Sequence, residues 1–435
     1  MRTTVVAAGA IVFAAVAAVP YVSGRILERE VRDAIDGYNK RQSFVTASIV
    51  EYERQWLRSE FVTKLAIRDG PEIARAATGV RHAPLAGMNF ASGQSEVHFA
   101  EASAATENYY FAGAVPLTVS FDVAFGGGAH GSLRSAPVDK PVLATKGTRV
   151  IAGASSGQFT IAKDKTFRFE WALPKLAYED PKLSVAFDGI AMSAYGQLGD
   201  DDLSEASGFK LSIASYRGAQ GGRTTNVKAL SVSTEMKPSA EMLRFALAVR
   251  AGPGEVSLDA TPYAWESFEL ACSLSDVQKA PVIKYSAELR KLSDVDIAES
   301  QRTMLALRAV ADLAAGLAEG EPVFAVDKLA VRTPQGGADA SMRVSIDKAR
   351  MATGLSSWTA AEGFVMSGHA SVSRSLAVRL VGAAAGGDEA AQGAIAHLAA
   401  RGILREKGDA LEFDIAARDG IYMLNGVRAT ELVRM

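Results

Sequence analysis

The sequence has 435 residues, of which 48% are hydrophobic and 22% are charged, so the chain can bury a large core and is not intrinsically disordered. Its 47 basic and 49 acidic residues nearly cancel, and no basic cluster is dense enough to follow a phosphate backbone, which argues against nucleic acid as a partner. The single cysteine, Cys272, excludes an intrachain disulfide and a thiolate metal cluster. We expect Cys272 to be a small buried hydrophobic residue.

The N-terminus carries a long apolar segment. Residues 3–24 contain no charged side chain, and a helix of this length, at ~1.5 Å per residue, would cross the roughly 30 Å hydrocarbon core of a bilayer. Arg2 and the small residues Ala15 and Ala17 also fit a cleavable signal peptide, so residues 1–24 are interpreted as a membrane anchor or a signal. Both interpretations export the rest of the chain. The length of the run and the interfacial Tyr21 favour a retained transmembrane helix.

Two further elements follow this segment. Gly24 to Lys40 has apolar residues at helical spacing, which predicts a helix leaving the membrane. Between Thr46 and Asp69 the pattern becomes alternating on both sides of Trp56, which predicts a hairpin with this residue near its bend. In that hairpin, Tyr52, Arg54 and Trp56 would share one face of a strand, and we expect all three to be structural.

The same hairpin begins a resemblance to a known family. The opening Tyr52-x-Arg54-x-Trp56-Leu57-x-Ser59, after an apolar helix and a charged helix, resembles that of the YdgA-like family of bacterial envelope proteins of unknown function, although Gln55 and Leu57 depart from the family pattern. His130-Gly131 resembles a His-Gly-Pro segment of that family, with Ser132 in the place of proline. Its closing pattern resembles Gly402-Ile403-Leu404, Gly408-Asp409 and Asn425-Gly426.

The resemblance implies a protein held in the inner membrane by its N-terminal helix, with a YdgA-like α+β domain, residues 25–435, in the periplasm. It implies no established activity, and it gives no catalytic residues to transfer to this chain.

Most of the remaining chain alternates between apolar and polar residues, which predicts amphipathic strands of an antiparallel sheet. The clearest case is Val115 to Phe125; the others lie around residues 159–161, 167–171, 183–187, 243–249, 283–289, 342–346 and 411–415. Helical patterns are confined to Glu299–Ala318, Ser373–Ala385 and Asp388–Arg401. We therefore predict an α+β fold, with one large and mainly antiparallel β-sheet domain and a few packed helices. The glycine-containing loops 196–208 and 218–223 are interpreted as excursions of one sheet, not as linkers.

The apparent catalytic motifs lack the structural context that their chemistry needs. Gly126, Gly128 and Gly131 spell G-x-G-x-x-G, but no helix follows to bind a pyrophosphate. Ser155 lies in a G-x-S-x-G pattern that continues as a strand, whereas a nucleophile elbow needs a helix. Asp200, Asp201 and Asp202 are consecutive, unlike the alternate ligands of a calcium loop. The five histidines, of which we single out only His130, lack the spacing of a zinc site.

The sequence predicts no catalytic residue, no metal ligand and no cofactor. It favours binding or scaffolding at the cell envelope, with the inner membrane as one partner and a lipid or an envelope protein as another. Lipid is a candidate because many strands have one apolar face and the helices are too few to cover all of it. The alternatives are a periplasmic hydrolase that uses Ser155 or His130, and a structural subunit of an envelope complex.

Overall fold

The structure is a computed structural model. It describes residues 24–41, 45–55, 58–68, 70–82, 89–100, 104–124, 128–143, 145–197, 206–258, 261–294, 299–347, 363–385, 387–418 and 420–432. The predicted membrane segment, up to residue 23, lies outside these ranges, and none of the helices within them is long and apolar enough to cross a membrane.

The chain divides into two compact units. The first contains Met1–Asp202 and Ser293–Asp296, and the second contains Leu203–Leu292 and Ile297–Met435. The first boundary falls in the loop of residues 196–208, which the sequence analysis interpreted as an excursion of one sheet. We refer to these parts as unit 1 and unit 2 and describe each by itself.

Unit 1 consists of a sheet and two described helices. The helices are α1 (Gly24–Arg41) and α2 (Ala104–Phe111). The strands are β1 (Val45–Arg54), β2 (Arg58–Ile67), β3 (Glu72–His82), β4 (Asn89–Phe99), β5 (Leu117–Ala124), β6 (Ala129–Ser135), β7 (Val138–Pro141), β8 (Arg149–Ala152), β9 (Ser156–Ile161), β10 (Thr166–Glu179) and β11 (Leu183–Gln197). Neighbouring strands pair in the order β1-β2-β3-β4-β5-β6-β9-β10-β11, all antiparallel, and β8 continues beside β10 where β9 ends.

The core of unit 1 lies between α1 and one face of this sheet. Val31 and Ile35 of α1 are buried in one cluster with residues from strands β1 to β6, β9 and β10. In β5 the alternation predicted from the sequence is realised, because Val119 and Phe121 are buried while Ser120 between them is exposed. The predicted helix at residues 24–40 contributes Val31 and Ile35 to the buried cluster on this side of the sheet.

Glycines allow large side chains to pack on this buried face. A Cβ on Gly131 would lie 2.4 Å from Cζ of Phe159, and a Cβ on Gly93 would lie 2.2 Å from Cζ of Phe121. Both glycines pair with Phe121 in the register of the sheet, so ring and glycine alternate across β4, β5, β6 and β9. The last glycine of the G-x-G-x-x-G pattern therefore lies in a strand, where Gly131 makes room for an aromatic ring.

Unit 2 has a second antiparallel sheet and the remaining described helices. The strands are β12 (Ser207–Gln220), β13 (Arg223–Pro238), β14 (Met242–Ala251), β15 (Gly254–Leu258), β16 (Thr261–Trp265), β17 (Ser267–Gln278), β18 (Val323–Thr333), β19 (Gly336–Ile346), β20 (Phe364–Ser373), β21 (Arg405–Lys407), β22 (Ala410–Arg418), β23 (Ile421–Leu424) and β24 (Val427–Arg428). The helices are α3 (Lys279–Asp294), of which Ser293 and Asp294 belong to unit 1, α4 (Glu299–Ala318), α5 (Arg374–Ala385), α6 (Asp388–Ala400) and α7 (Ala429–Leu432). The central strands pair in the order β12-β13-β14-β17-β18-β19-β20-β22.

Most of the predicted elements are present, so the mainly antiparallel α+β class is confirmed. The predicted helices at residues 24–40, 299–318, 373–385 and 388–401 correspond to α1, α4, α5 and α6. The predicted strand at residues 283–289 is wrong, because these residues lie in α3. Pro281 in the first turn has a φ suited to a helix start, Ala287 and Leu289 are strong helix formers, and Lys284 pairs with Glu288 one turn later at 3.8 Å. The short helix α2 was not predicted from the sequence.

Candidate binding surfaces

One face of the sheet in unit 2 is apolar across all of its central strands. Residues that stand directly opposite in antiparallel strands point to the same side, so the register identifies this face. One cross-strand row contains Leu211, Val232, Val249, Leu270, Leu329, Ala340, Ala370 and Phe413. A second row contains Phe209, Thr234, Leu247, Cys272, Val326, Met342, Gly368 and Ile415. We call these rows, with the flanking rows through Phe324 and Val331, the apolar face.

The apolar face is large. With strands about 4.8 Å apart, the distance from β12 to β22 is roughly 34 Å, and each further row adds about 6.8 Å along the strands. Contiguous apolar patches beyond a few hundred Å² usually mark a site of interaction in soluble proteins.

Protein side chains only partly cover this face. Phe209, Leu247, Phe324, Leu329 and Phe413 retain 36%, 37%, 41%, 36% and 36% of their accessible surface. On the equivalent inner face of unit 1, by contrast, Val119 is fully buried. In unit 1, Val31 and Ile35 of α1 are part of the core. In unit 2, Leu243 of β14 and Val277 of β17 are buried where these two residues pair, and a second covered part lies beside α5 and α6. There, Ala377 of α5 and Ile395 of α6 pack against Val372 and Leu411.

The opposite face of the same sheet is polar and carries ion pairs. Glu269 accepts a hydrogen bond from Arg250 at 2.9 Å and pairs with Lys328 at 2.5 Å. Hydrogen bonds from Lys328 and then Arg250 lower the pKa of the Glu269 carboxyl below its usual range. A second network joins Asp414 to the Nδ1 atom of His369 at 2.8 Å and to Arg405 at 3.1 Å. The sheet is therefore amphipathic, with solvated charges on one side and the apolar face on the other.

Unit 1 has a concave basin on its outer, polar face. The basin encloses about 1020 Å³ above strands β1 to β5, and its walls carry the carboxylates of Glu51, Glu53, Glu60, Glu96 and Asp122 together with Arg58 and Arg81. Arg58 pairs with Glu60 at 2.5 Å and lies above Gly79, 3.8 Å from the place of an added Cβ. The basin is open and charged, unlike a typical small-molecule site, which is closed and mainly apolar.

His130 lies on the same outer face as the basin. Its Nε2 atom is 3.6 Å from Oδ2 of Asp122, beyond hydrogen-bonding distance, and the side chain is mostly exposed. Within the described residues, no three His, Cys, Asp or Glu side chains are grouped so that they could hold a metal ion. The structure therefore gives His130 an exposed position on a strand beside Asp122.

Ser155 is buried and forms hydrogen bonds with Ser135 at the end of the β6–β9 pair. Its Oγ atom lies 2.7 Å from Oγ of Ser135, its amide donates to the same Ser135 oxygen at 3.1 Å, and the Ser135 amide donates to the Ser155 carbonyl. The neighbouring Gly157 is also structural, because its Cβ would lie 2.6 Å from the carbonyl oxygen of Glu170. This arrangement lacks the exposed hydroxyl and the adjacent base of a serine nucleophile.

The other residues singled out in the sequence fall in different places. Cys272 is only half-buried, because it points into the partly covered apolar face between Leu247 and Val326. Gly126, Trp56 and the acidic run Asp200 to Asp202 lie outside the described residues.

Comparison with known proteins identifies the family. A family model described as "Bacterial protein of unknown function (DUF945)" matches residues 1–430. The chain belongs to this family. No curated protein and no solved structure matches it. Membership covers both units and is consistent with the YdgA-like resemblance noted in the sequence.

The closing pattern that carried the resemblance has a structural role in this family member. Asn425 is buried, and its Nδ2 donates to the carbonyls of Gly402 and Ile403 at 3.0 and 2.9 Å. Its Oδ1 accepts from the amide of Asp414 at 2.8 Å, and its own φ of 51° fits the left-handed region that asparagine tolerates. One side chain thus joins the Asn-Gly turn, the loop after α6 and strand β22.

In the opening pattern, Tyr52 has a packing role. The ring of Tyr52 stacks on that of Phe61 across the β1–β2 hairpin, with centroids 5.6 Å apart, and burial raises the pKa of the Tyr52 phenol. Arg54 lies at the exposed end of the same strand opposite Ser59. The hairpin was predicted correctly from the sequence. The apolar face was not predicted as a continuous surface, because only strand order and register place its rows side by side.

Proposed function

We propose that this protein binds lipid acyl chains on the apolar face of unit 2. The observation that carries the proposal is the incomplete cover of the apolar face, where Phe324 at one end and Leu247 and Leu329 near the centre all remain more than a third exposed. Burying an acyl chain there would remove apolar surface of both partners from water, which is worth about 0.8 kcal/mol per methylene.

An acyl chain suits this face better than a polar ligand does. The row through Leu211 and Phe413 contains only aliphatic and aromatic side chains and alanines, and the charged groups of the sheet point to the other side. A peptide would leave backbone donors and acceptors unpaired on such a surface, at a cost of several kcal/mol when they are buried. A hydrocarbon chain has no groups of that kind.

The second part of the proposal is location. The charge-free residues 3–24 would hold the protein in the inner membrane as a single-pass anchor, with both units in the periplasm. An anchor of this kind would keep the apolar face close to a source of acyl chains. Protease added to spheroplasts should then digest the chain after Arg25 from outside, and a chain that is cut only after lysis would contradict this topology.

Site-specific photo-crosslinking in living cells tests the binding. Benzoylphenylalanine in place of Leu247 or Leu329 would lie on the apolar face, and in place of Ser367 it would lie on the polar face of the same sheet. We expect lipid adducts, detected by mass spectrometry of the full-length protein, at the first two positions and none at Ser367. Adducts to a second copy of the chain or to another protein at Leu247 and Leu329, without lipid, would favour a structural subunit instead.

A further inference from the structure

The exposed side chains of the apolar face are spread over its whole width. Phe209 lies on β12, Leu247 on β14, Phe324 and Leu329 on β18, and Phe413 on β22. In the order of the paired central strands these are the first, third, fifth and eighth. At about 4.8 Å per strand, Phe209 and Phe413 are therefore separated by roughly 34 Å across the sheet.

One acyl chain is too short and too narrow to cover these side chains. The hydrocarbon core of a bilayer is about 30 Å thick and is filled by two leaflets, so a single chain spans roughly 15 Å. Its carbon atoms contact their neighbours at about 4 Å, so the width of a chain is close to the distance between two adjacent strands. A chain that covers Phe209 therefore leaves Phe413 exposed, whichever way it lies on the sheet.

The capacity of the face follows from its dimensions. Its four rows, from the row through Phe324 to the row through Val331, extend about 20 Å along the strands at about 6.8 Å per row. The strands from β12 to β19, which exclude the part covered by α5 and α6, extend about 24 Å across the sheet. This area of roughly 480 Å² is about six times the footprint of a chain that is about 15 Å long and about 5 Å wide.

The paired positions of these rows, within the described strands from β12 to β22, carry no charged side chain. The row through Phe324 contains Phe245, Leu274 and Val344, and the row through Val331 contains Phe268. Chains lying side by side would therefore contact the face and one another, and no charged group would have to lose its hydration.

We propose that the apolar face holds several acyl chains side by side at the same time, about six when it is full. This inference rests on the proposed function for the class of ligand and adds the number of chains. The bound lipid is then one molecule with several acyl chains or a set of two-chain phospholipids, and a layer of hydrocarbon chains is the chemistry that both share. A single fatty acid would leave most of the uncovered area in water.

Double photo-crosslinking of the full-length protein in living cells counts the chains. Benzoylphenylalanine replaces both Phe209 and Phe413, which keeps an aromatic side chain at each position, and intact mass spectrometry measures the lipid on each protein molecule. We expect molecules linked to lipid at both positions as often as the product of the two single yields. If the face held one chain at a time, such molecules would be absent. The pair Ser233 and Ser367, on the polar face of the same sheet, is the matched control and should carry no lipid.

The added mass distinguishes the two sources of chains. Two lipid masses on a doubly linked molecule indicate separate phospholipids, one lipid mass joined to both positions indicates a lipid with several chains, and each result supports the inference. Adducts that form at either position but never on the same molecule overturn it and leave lipid binding intact. Absence of lipid at Phe209, Phe413, Leu247 and Leu329 overturns both proposals. The pair Leu247 and Phe413, roughly 24 Å apart across the strands, repeats the measurement, so the result does not depend on the folding of one variant.

Discussion

At the scale of single residues, the fold depends on a few positions. At some of them a glycine leaves room for a neighbouring ring, and at another one side chain forms hydrogen bonds to the backbone. Gly131 and Gly93 lie under phenylalanine rings, and Asn425 joins three segments of unit 2. Gly131 and Asn425 lie in segments that had suggested the family. Their roles in packing and hydrogen bonding explain why such residues can identify the fold without taking part in a reaction.

Gly131→Ala should destabilise the protein, because the new methyl group would meet Phe159 at 2.4 Å and the Ser120 carbonyl oxygen at 2.4 Å. Overpacking of this kind typically costs about 1–3 kcal/mol. Gly79→Ala is the matched control on the outer face, where the nearest atom is 3.8 Å away. It should leave stability unchanged or raise it slightly, because alanine restricts the unfolded chain. Thermal melting of both variants checks the difference, and equal melting temperatures would contradict it.

Asn425→Gly should also lower stability, by about 1–3 kcal/mol, because it leaves buried backbone groups of Gly402, Ile403 and Asp414 without partners. Glycine keeps the left-handed φ accessible, so the substitution adds no backbone strain at this position. Denaturant unfolding measures the change. Asn226→Ala, at an exposed position of β13, is the control and should unfold like the parent protein.

At the scale of elements, the two faces of the sheet in unit 2 have different kinds of stabilisation. The polar face depends on charged pairs such as Glu269 with Arg250 and Lys328, and exposed pairs of this type contribute little each and only while they are ionised. The apolar face would contribute more if it were fully covered, which it is not. Each strand thus satisfies its hydrogen bonds while leaving hydrophobic surface available for a ligand.

Because pairing lowers the pKa of Glu269 in the folded protein below its ordinary value of 4.5, the pairing stabilises the protein above that pH and is lost as the pH falls through the folded pKa. Glu269→Gln should therefore melt below the parent protein at pH 7, and the gap in melting temperature should close as the pH falls through the lowered pKa of Glu269. Glu266→Gln, on an exposed residue at the start of the same strand region, serves as the control. A gap that is unchanged between pH 7 and pH 3 would show that the pair contributes no ionic stabilisation.

At the scale of the whole molecule, the two units differ in how well their sheets are covered. Unit 1 has a continuous core between α1 and its sheet, and the buried cluster described in unit 2 lies at one end, around Leu411. Local opening costs less where fewer apolar contacts are buried. The proposed ligand site therefore lies in the unit with fewer fully buried apolar side chains.

Hydrogen exchange of the full-length protein should show this difference directly. We expect slower exchange in β2 to β5 of unit 1 than in β14, β17 and β18 of unit 2. Added oleate should slow exchange in unit 2 alone, because only the state with an ordered apolar face would bind it. Equal protection of both units before and after addition would be inconsistent with a ligand site on the apolar face.

The sequence by itself determined the secondary structure pattern and the chemical character of each strand. Alternating residues at 117–123 and 243–249 gave amphipathic strands, and helical spacing at 299–318 gave α4, since both patterns are local. The strand predicted at residues 283–289 was wrong because alternating and helical spacing of apolar residues cannot be distinguished in so short a run. Only the tertiary structure decided that Gly131 makes room for an aromatic ring, that Ser155 is hydrogen-bonded to Ser135, and that the apolar rows form one partly covered face. Those facts depend on register and on which helix covers which strand, and neither is encoded in the order of residues along a single strand.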